Sequence, residues 1–143
     1  MMFFGEFEYK LDEKGRLPLP PRFRRYLKDG VVLIPGPEKC ITVYPLAEWK
    51  KVADTLATGS LAPSKIRTLN RALFATAFHM ALDSAGRISL PAPLRDFAGI
   101  YDEAIVAGVN KNMELWSPDE WAVEKASSQV QAWQIIESLE KRC

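Results

Sequence analysis

The chain has 143 residues, of which 48% are hydrophobic and 26% charged, with a formal net charge of +1. That length suits one ordinary domain with a substantial core. No apolar run approaches the roughly 20 residues of a membrane helix, and the N-terminal segment lacks a basic n-region and a cleavage site, so we expect a soluble cytoplasmic protein. The two cysteines, Cys40 and Cys143, offer neither a disulfide framework nor a pair at zinc-ligand spacing, which suits a reducing compartment.

A ten-residue pattern occurs twice in the chain. It reads LDEKGRLPLP at residues 11–20 and LDSAGRISLP at residues 82–91. The similarity extends on both sides of the pattern; the matched pairs include Phe7 and Phe78, Gly36 and Gly108, and Trp49 and Trp121. A repeat at a nearly fixed offset indicates two copies of one structural unit.

The two copies are too small to fold separately. At roughly 45 residues each, they would bury too little surface to be stable alone. We therefore predict that they share one core around an internal pseudo-two-fold axis. The predicted division places repeat 1 at residues 5–50 and repeat 2 at 76–122, with a C-terminal helix at 123–143 that packs on the same domain.

Repeat 1 begins with two predicted strands joined by a tight turn. Residues 7–11 alternate apolar and polar side chains, as a half-buried strand does. Asp12 and Gly15 bound the turn, because aspartate bonds backbone amides two residues on and glycine adopts a positive φ without steric cost. Residues 16–20 resume the alternation. Their prolines cannot donate to a sheet, which predicts an edge strand or a pairing that stops at Pro20.

The next elements follow from the same kinds of pattern. Pro21 suits the first turn of a short helix, and β-branched runs on either side of a Pro-Gly-Pro segment predict a hairpin. Ser64 is a candidate N-cap for the helix that joins the copies. The predicted elements are a helix at 21–27, strands at 31–34 and 40–44, a helix at 46–53, a linker at 58–63, a helix from 64 to about 75, and a second unit from 78 to about 121.

A last helix is predicted to begin after Ser117 and to end near residue 140. Ser117, Pro118 and Glu120 occupy the N-cap, N1 and N3 positions, which is a strong helix start. Apolar residues keep a three-to-four spacing along this segment, so the helix should be amphipathic and should pack. They are Ala122, Ala126, Val130, Trp133 and Ile136. The four tryptophans suit core positions or contacts between subunits; they are Trp49, Trp116, Trp121 and Trp133.

Basic residues are concentrated in repeat 1. Residues 14–28 contain no acidic residue; their basic residues are Lys14, Arg16, Arg22, Arg24, Arg25 and Lys28. The matching part of repeat 2 has Arg87 and Arg95, set against Asp83 and Asp96. Such a cluster is typical of a face that binds a polyanion, although a solvated surface has the same composition. The candidate residues for binding nucleic acid are Lys14, Arg16, Arg22, Arg24, Arg25 and Arg87.

The pattern Asp-x-x-Gly-Arg, present in both copies, is the sharpest candidate site. Its turn residues are Asp12, Gly15, Asp83 and Gly86. Each aspartate either caps its own turn or pairs with the arginine four residues later. An arginine just beyond a turn at a sheet edge can present its guanidinium group to a phosphate or to O6 and N7 of guanine. Because Lys14 lies beside Arg16, the first copy favours nucleic acid.

The two patterns resemble those of the MraZ family, bacterial transcriptional regulators associated with the division and cell wall gene cluster. The similarity includes the FFGEF segment at residues 3–7, both ten-residue patterns, and the Phe23-Arg24 and Leu94-Arg95 pairs that follow them. It covers nearly the whole chain. The resemblance implies an α+β fold, a double-split β-barrel built from two AbrB-like swapped-hairpin repeats with flanking helices.

The resemblance also implies a function and a set of contacts. It implies a nucleoid-associated transcriptional regulator that forms a ring-shaped homo-oligomer and binds double-stranded DNA at repeated promoter elements. Lys14 and Arg16, and by the second pattern Arg87, would then lie on the DNA-facing surface. Two residues depart from the family. Ala85 stands where the first copy has Lys14, which weakens the second turn as a phosphate contact, and Pro18 removes one ladder hydrogen bond.

Other functions receive less support from the sequence. The main rival is a protein-binding module of the same swapped-hairpin type, like an antitoxin whose principal partner is another protein. An enzyme is not predicted, because the single histidine, His79, lies in an alternating strand and nothing brings it to Cys40, whose apolar strand indicates burial. No phosphate-binding glycine loop or metal motif is present in the sequence, so we predict no cofactor and no metal.

Overall fold

A computed structural model describes residues 1–141, so Cys143 lies outside the described residues. Strands and helices follow one another in nearly the same order in the two copies. The strands are β1 Phe3–Lys10, β2 Arg16–Pro18, β3 Val31–Pro35, β4 Ile41–Pro45, β5 Phe78–Met80, β6 Arg87–Ser89, β7 Glu103–Asn110 and β8 Met113–Trp116. The helices are α1 Pro21–Arg24, α2 Leu46–Thr58, α3 Pro63–Leu69, α4 Ala92–Ala98 and α5 Pro118–Glu140, and a π-helical turn, Asn70–Phe74, continues α3.

The strands of the two copies are interleaved in two antiparallel sheets. The larger sheet has six strands in the order β1-β7-β8-β4-β3-β5, and the smaller is a two-stranded ribbon of β2 and β6. Three pairings of the larger sheet, β1 with β7, β4 with β8 and β3 with β5, join strands of different copies. The α+β class is confirmed, and both copies contribute to each sheet. The pairings of the described strands close no barrel.

The main core lies between the large sheet and the ribbon. Leu17 and Ile88, the central residues of β2 and β6, are fully buried and face this core from the ribbon. Phe23 of α1 and Leu94 of α4, at equivalent positions in the two copies, are buried beside them. The shared core explains why neither copy needs to be stable alone. Truncating Leu17 or Ile88 to alanine should cost about 2–5 kcal/mol of folding free energy.

The opposite face of the large sheet carries the longer helices. Successive residues of β3 alternate between faces, so Val31 and Leu33 belong to the main core while Val32 and Ile34 pack with Trp49 of α2. Trp116 and Trp121 pack together at the other end of this face, with their ring centroids 5.9 Å apart. Three of the four tryptophans therefore lie in or against a core. The fourth, Trp133, is 70% exposed.

Several predicted boundaries differ from the structure. Ser64 is not an N-cap: α3 begins one residue earlier, because Pro63 at N1 presets the helical φ and Ala62 takes the cap position without a side-chain hydrogen bond. Helix α1 ends at Arg24 instead of residue 27, since the amides of Tyr26 and Leu27 form tighter turns to the carbonyls three residues back. Strand β2 ends at Pro18 and has a single partner strand, as its prolines indicated.

Helix α5 begins as the sequence predicts but packs much less. The Ser117 hydroxyl accepts a hydrogen bond from the Glu120 amide at 3.3 Å, which confirms the N-cap. The expected packing on the domain is limited to the first turns, where Trp121 contacts Trp116 and Lys125 Nζ lies 3.1 Å from Glu6 Oε1. Every residue from 126 to 141 is exposed. None of the helices between residues 1 and 141 could span a lipid bilayer.

Candidate nucleic-acid interface

The ribbon of β2 and β6 presents one residue pattern outward and another inward. Arg16 pairs with Ser89 and Pro18 pairs with Arg87 in the antiparallel register. Directly paired residues share a face, and residues two apart along a strand do so as well. The arginines of both copies therefore lie diagonally on the outer face, while Leu17 and its partner are buried beneath it. A two-stranded ribbon of this size fits the major groove of B-DNA.

In the first turn, Asp12 caps the backbone and pairs with arginine at the same time. Its Oδ1 accepts hydrogen bonds from the amides of Lys14 and Arg16, both at 2.9 Å. Its Oδ2 accepts a 2.6 Å hydrogen bond from Arg16 Nε. Gly15 has a φ of +74°, which a residue with a side chain rarely adopts. The sequence left two roles open for this aspartate, capping its own turn or pairing with the arginine four residues later, and Asp12 has both roles.

The second turn repeats this arrangement. Asp83 Oδ1 accepts from the amides of Ala85 and Arg87 at 3.0 and 2.9 Å, and Oδ2 accepts from Arg87 Nε at 2.8 Å. Gly86 has a φ of +76°. Because the same residue types produce the same bonds and dihedral angles, the turn geometry follows from the repeated pattern.

The two turns are joined by an ion pair across the copies. Arg87 donates from a terminal guanidinium nitrogen to Asp12 Oδ2 at 3.4 Å. Among the ion pairs of the described residues, Asp12 therefore pairs with two arginines, Arg16 and Arg87, whereas Asp83 pairs with Arg87. Backbone hydrogen bonds from the arginine amides, followed by the guanidinium contacts, hold the pKa of both carboxyl groups below the ordinary value of 3.8. Both aspartates are consequently ionised at neutral pH and fix the Nε of each arginine.

The arginine side chains keep part of their surface exposed. Arg16 and Arg87 are 31% and 30% exposed. Asp12 binds Arg16 through Nε, so the two terminal nitrogens of Arg16 take no part in that pair. Lys14, at the tip of the first turn, is exposed. The outer face thus offers arginine donors held in position by the aspartates, with the exposed cation of Lys14 beside them.

Each turn also accommodates an arginine from the other copy. A Cβ atom added to Gly15 would lie 3.2 Å from Cζ of Arg95, and one added to Gly86 would overlap the guanidinium group of Arg24. Arg24 is held there by a 2.9 Å hydrogen bond from Nε to the Leu19 carbonyl. The glycines are therefore required both for their positive φ and for the space above them.

Sequence reasoning missed Arg95 as a member of this surface. The acidic Asp96 that follows it offsets its charge in the sequence, yet the Arg95 side chain lies over the first turn, beside Lys14 and Arg16. The signal that identifies it is the repeat itself, because Arg95 occupies the position of Arg24 in the second copy. Residues at equivalent positions in two interleaved repeats contact equivalent positions of the other repeat.

Two of the predicted DNA-binding arginines contact residues outside the ribbon. Arg22 donates to the carbonyl of Phe4 at 2.8 Å and lies 4.7 Å above its ring, so it covers a main-chain acceptor of β1. Arg25 stacks on Tyr26 at 4.8 Å and donates to its hydroxyl at 2.7 Å. The structure therefore groups Lys14, Arg16, Arg24 and Arg87 at the turns, and separates Arg22 and Arg25 from them.

A second cluster of polar groups lies at the end of β4. The ligand atoms of Glu38, Cys40 and Glu114 lie within 4.8 Å of one another. Burial, with the nearby carboxylates, raises the pKa of the Cys40 thiol to about 12, and burial raises the pKa of Glu114. The thiol is therefore protonated at neutral pH, whereas a metal ligand or nucleophile is a thiolate. The His79 ring lies elsewhere, 3.3 Å from the Asp29 carbonyl oxygen.

The fold and the ribbon define a class of protein: two interleaved α+β repeats that share a core and present a basic two-stranded ribbon built from both. The family model described as "MraZ protein, putative antitoxin-like" matches the chain twice, at residues 2–72 and 73–141. The chain belongs to the MraZ family.

Relatives named "Transcriptional regulator MraZ" occur in several bacteria. The chain is 62% identical over 141 residues to "Transcriptional regulator MraZ" of Dehalococcoides mccartyi strain BAV1, covering 98% of this chain and 99% of the relative. It is 42% identical over 120 residues to the protein of that name from Roseiflexus sp. strain RS-1, covering 84% of each chain. With that of Thermus thermophilus it shares 37% identity over 142 residues, covering 96% of this chain and 99% of the relative. These names are not those of enzymes, in agreement with the sequence prediction.

Proposed function

We propose that this protein regulates transcription by binding double-stranded DNA through the outer face of the β2–β6 ribbon. The observation that carries the proposal is the placement of Arg16 and Arg87, from different copies, on one exposed face of a ribbon that fits the major groove. The names of its relatives support the same function. Such a protein works in the cytoplasm at the nucleoid.

The chemistry of the ribbon suits base recognition backed by phosphate contacts. A guanidinium group can donate two parallel hydrogen bonds to O6 and N7 of guanine or to a phosphate. Asp12 and Asp83 hold the Nε atoms of the arginines, so less side-chain freedom is lost on binding. Lys14 and Arg95 add positive charge next to Arg16, and phosphate contacts of this kind fix position without reading sequence.

We further propose that the strand exchange is a swapped-hairpin arrangement of the double-split type, and that several copies assemble into a ring. Two features support assembly: β1 and β5 are edge strands of the large sheet among the described strands, and α5 has an exposed apolar surface. A ring repeats the ribbon, and repeated promoter elements then raise the avidity without any new contact. The boundaries 5–50 and 76–122 for the two repeats remain our proposal for its modules.

The experiment that tests DNA binding is a salt titration with an arginine variant. Phosphate contacts release counterions, so log affinity should fall with log salt by roughly 0.9 per phosphate neutralised. We expect Arg16→Ala to weaken binding to a multi-repeat promoter fragment far more than to a single repeat. Lys50→Ala, which removes an exposed charge from α2, is the matched control and should leave both affinity and slope unchanged.

The rival function is a protein-binding module of antitoxin type. The family description "putative antitoxin-like" is the observation that favours it. If Arg16→Ala and Lys50→Ala gave the same affinity and salt slope on multi-repeat DNA, the basic ribbon would be an ordinary solvated surface. The protein-binding function would then replace the one proposed here.

A further inference from the structure

Helix α5 leaves a large apolar surface uncovered. Val130 and Trp133 are 71% and 70% exposed, and Ile136 is 39% exposed. They follow one another at spacings of three residues and so lie along one side of the helix. Contiguous apolar patches that include a tryptophan are uncommon on soluble monomers and mark contact sites. This surface therefore requires an occupant.

The equivalent helix of repeat 1 identifies the kind of occupant. Trp49 of α2 and Trp121 of α5 hold matching positions in the two copies. In repeat 1, α3 and the π-helical turn fold back on α2, and the Phe74 ring lies 4.7 Å from that of Trp49. Residues 126–136 of α5, by contrast, are all exposed, and no helix of the described residues packs on them as α3 packs on α2. A helical partner is thus present on α2 and missing from the far part of α5.

A groove suited to a helix exists elsewhere on the same chain. It lies between α2 and α3 and encloses about 390 Å³. Its lining is apolar except for one asparagine and consists of Ala53, Leu56, Ala57, Ile66, Asn70 and Phe74. These side chains are exposed or half-buried in the single chain. An inserted aromatic side chain would cover them, and tryptophan is one of the residue types enriched in such anchoring positions.

The charges of the groove and of α5 are complementary. Residues 59–82 contain no acidic residue, and the basic residues there are Lys65, Arg67 and Arg71 on α3 and the π-helical turn. Helix α5 is acidic, with Lys125 as its single basic residue; its acidic residues are Asp119, Glu120, Glu124, Glu137 and Glu140. Complementary charges at an interface favour association and disfavour pairing of like surfaces, so α5 is a poor partner for a second α5.

The helix and the groove lie at opposite ends of the large sheet. The first turns of α5 contact β7, and Lys125 reaches Glu6 of β1, the strand at one edge. Helix α2 packs on β3 and β4, and β3 is next to β5, the strand at the other edge. A contact between surfaces at opposite ends is heterologous, so repetition gives either a closed ring or an open filament.

We propose that α5 of one subunit docks in the α2–α3 groove of the next copy of this chain, with Trp133 as its central anchor and Val130 and Ile136 beside it. This inference rests on the proposed oligomer and names the contact that builds it. The contact is separate from the ribbon, so DNA binding and assembly use different residues.

Two variants break the contact from its two sides. Trp133→Glu places a charge on the exposed part of α5, and Ala57→Glu places one in the groove at an exposed position. Because both positions are exposed in the single chain, the subunit fold should be retained, which circular dichroism checks. Light scattering at micromolar concentration should give a mass several times 16.1 kDa for the unaltered protein and a lower mass for each variant. Tyr101→Ala, at another exposed aromatic residue, is the control and should retain the full mass.

Mixing the two variants tests the head-to-tail geometry. Trp133→Glu keeps an intact groove and Ala57→Glu keeps an intact α5, so an equimolar mixture should form a dimer and nothing larger. An unaltered protein that is monomeric, a Trp133→Glu variant of full mass, or a mixture that stays monomeric would each overturn the proposal. So would an Ala57→Glu variant of full mass, which would place α5 on some other surface.

The two proposals can fail independently. If docking is correct, Trp133→Glu should bind a single DNA repeat as the unaltered protein does and should lose only the added avidity of multiple repeats. If instead Arg16→Ala has no effect while Trp133→Glu dissociates the oligomer, DNA binding through the ribbon fails and the docking contact stands.

Discussion

The turns of the two repeats have the same geometry and different surroundings. Gly15 and Gly86 have φ values of +74° and +76°, and each aspartate makes the same three hydrogen bonds within its own turn. The first turn carries Lys14 where the second carries Ala85. The comparison teaches that the aspartate, glycine and arginine set the shape of each turn. The residue before the glycine sets the charge of the turn, and the arginine packed over the glycine sets how much a substitution there destabilises the fold.

The largest difference between the two turns is expected in the free energy of unfolding when each glycine is replaced by alanine. A positive φ costs alanine about 1–2 kcal/mol, which is the effect expected for Gly15→Ala. Gly86→Ala should cost more, because its Cβ overlaps Arg24 and displaces a hydrogen bond to the Leu19 carbonyl worth about 1 kcal/mol. Urea unfolding at neutral pH measures both.

A second variant isolates the steric part of that difference. In an Arg24→Ala background, Gly86→Ala should cost no more than Gly15→Ala does in the unaltered protein. Equal losses for the two glycine variants in the unaltered protein would show that Arg24 moves aside without cost.

The arginines should differ in their contribution to DNA binding. Among the described residues, Arg87 forms ion pairs with both Asp83 and Asp12, whereas Arg16 forms one with Asp12 through Nε, so the terminal nitrogens of Arg16 take no part in that pair. We expect Arg16→Ala to reduce affinity for a multi-repeat site by roughly tenfold or more, the size of a lost bidentate base contact. Arg87→Ala should have a smaller effect, as measured by fluorescence anisotropy at two salt concentrations. A larger loss for Arg87→Ala would reverse the ranking.

Exchanging the variable residue should make the two turns alike. Both Lys14 and Ala85 are exposed at the turn tips. Ala85→Lys should increase affinity a few-fold and raise the salt slope by roughly 0.9 per subunit, and Lys14→Ala should do the opposite. If Ala85→Lys changed neither quantity, the second turn would lie away from the phosphates, and repeat 2 would contribute Arg87 alone.

The smallest expected effects concern acid stability. The folded pKa of Asp12 and of Asp83 is below 3.8, so the stabilisation from each is present above that value and is lost as the pH falls through the folded pKa. Replacement by asparagine removes the titration but can keep the turn hydrogen bonds, so it should destabilise less than alanine.

The melting temperature should depend less on pH in the acid range for Asp12→Asn than for Asp83→Asn, because Asp12 also contacts Arg87 of the other copy. Profiles from acid to neutral pH would check this. Identical profiles for the two variants would show that the cross-repeat pair contributes nothing measurable, and equal loss for asparagine and alanine would assign the role of the aspartate to charge pairing.

The sequence by itself determined the features that arise from neighbouring residues. The turns of Asp-x-x-Gly-Arg and the N-cap at Ser117 depend on contacts within a few residues, where residue type dictates the backbone, and the repeat is visible in the sequence itself. Pro18 and Pro20 indicated a strand of limited pairing, because proline cannot donate to a sheet. The membership of Lys14 and Arg16 in a basic surface could be predicted for the same reason, since both belong to one turn.

Only the tertiary structure decided how the copies meet. The register of β2 with β6 places Arg16 and Arg87 on one face, and the strand exchange carries Arg95 over Gly15 and Arg24 over Gly86. Local pattern could not predict that Arg22 covers a β1 carbonyl or that α5 stays exposed beyond its first turns. Residues far apart in the chain meet according to which apolar surfaces can be buried together, and a long side chain takes its direction from the acceptor or ring that this packing brings within reach.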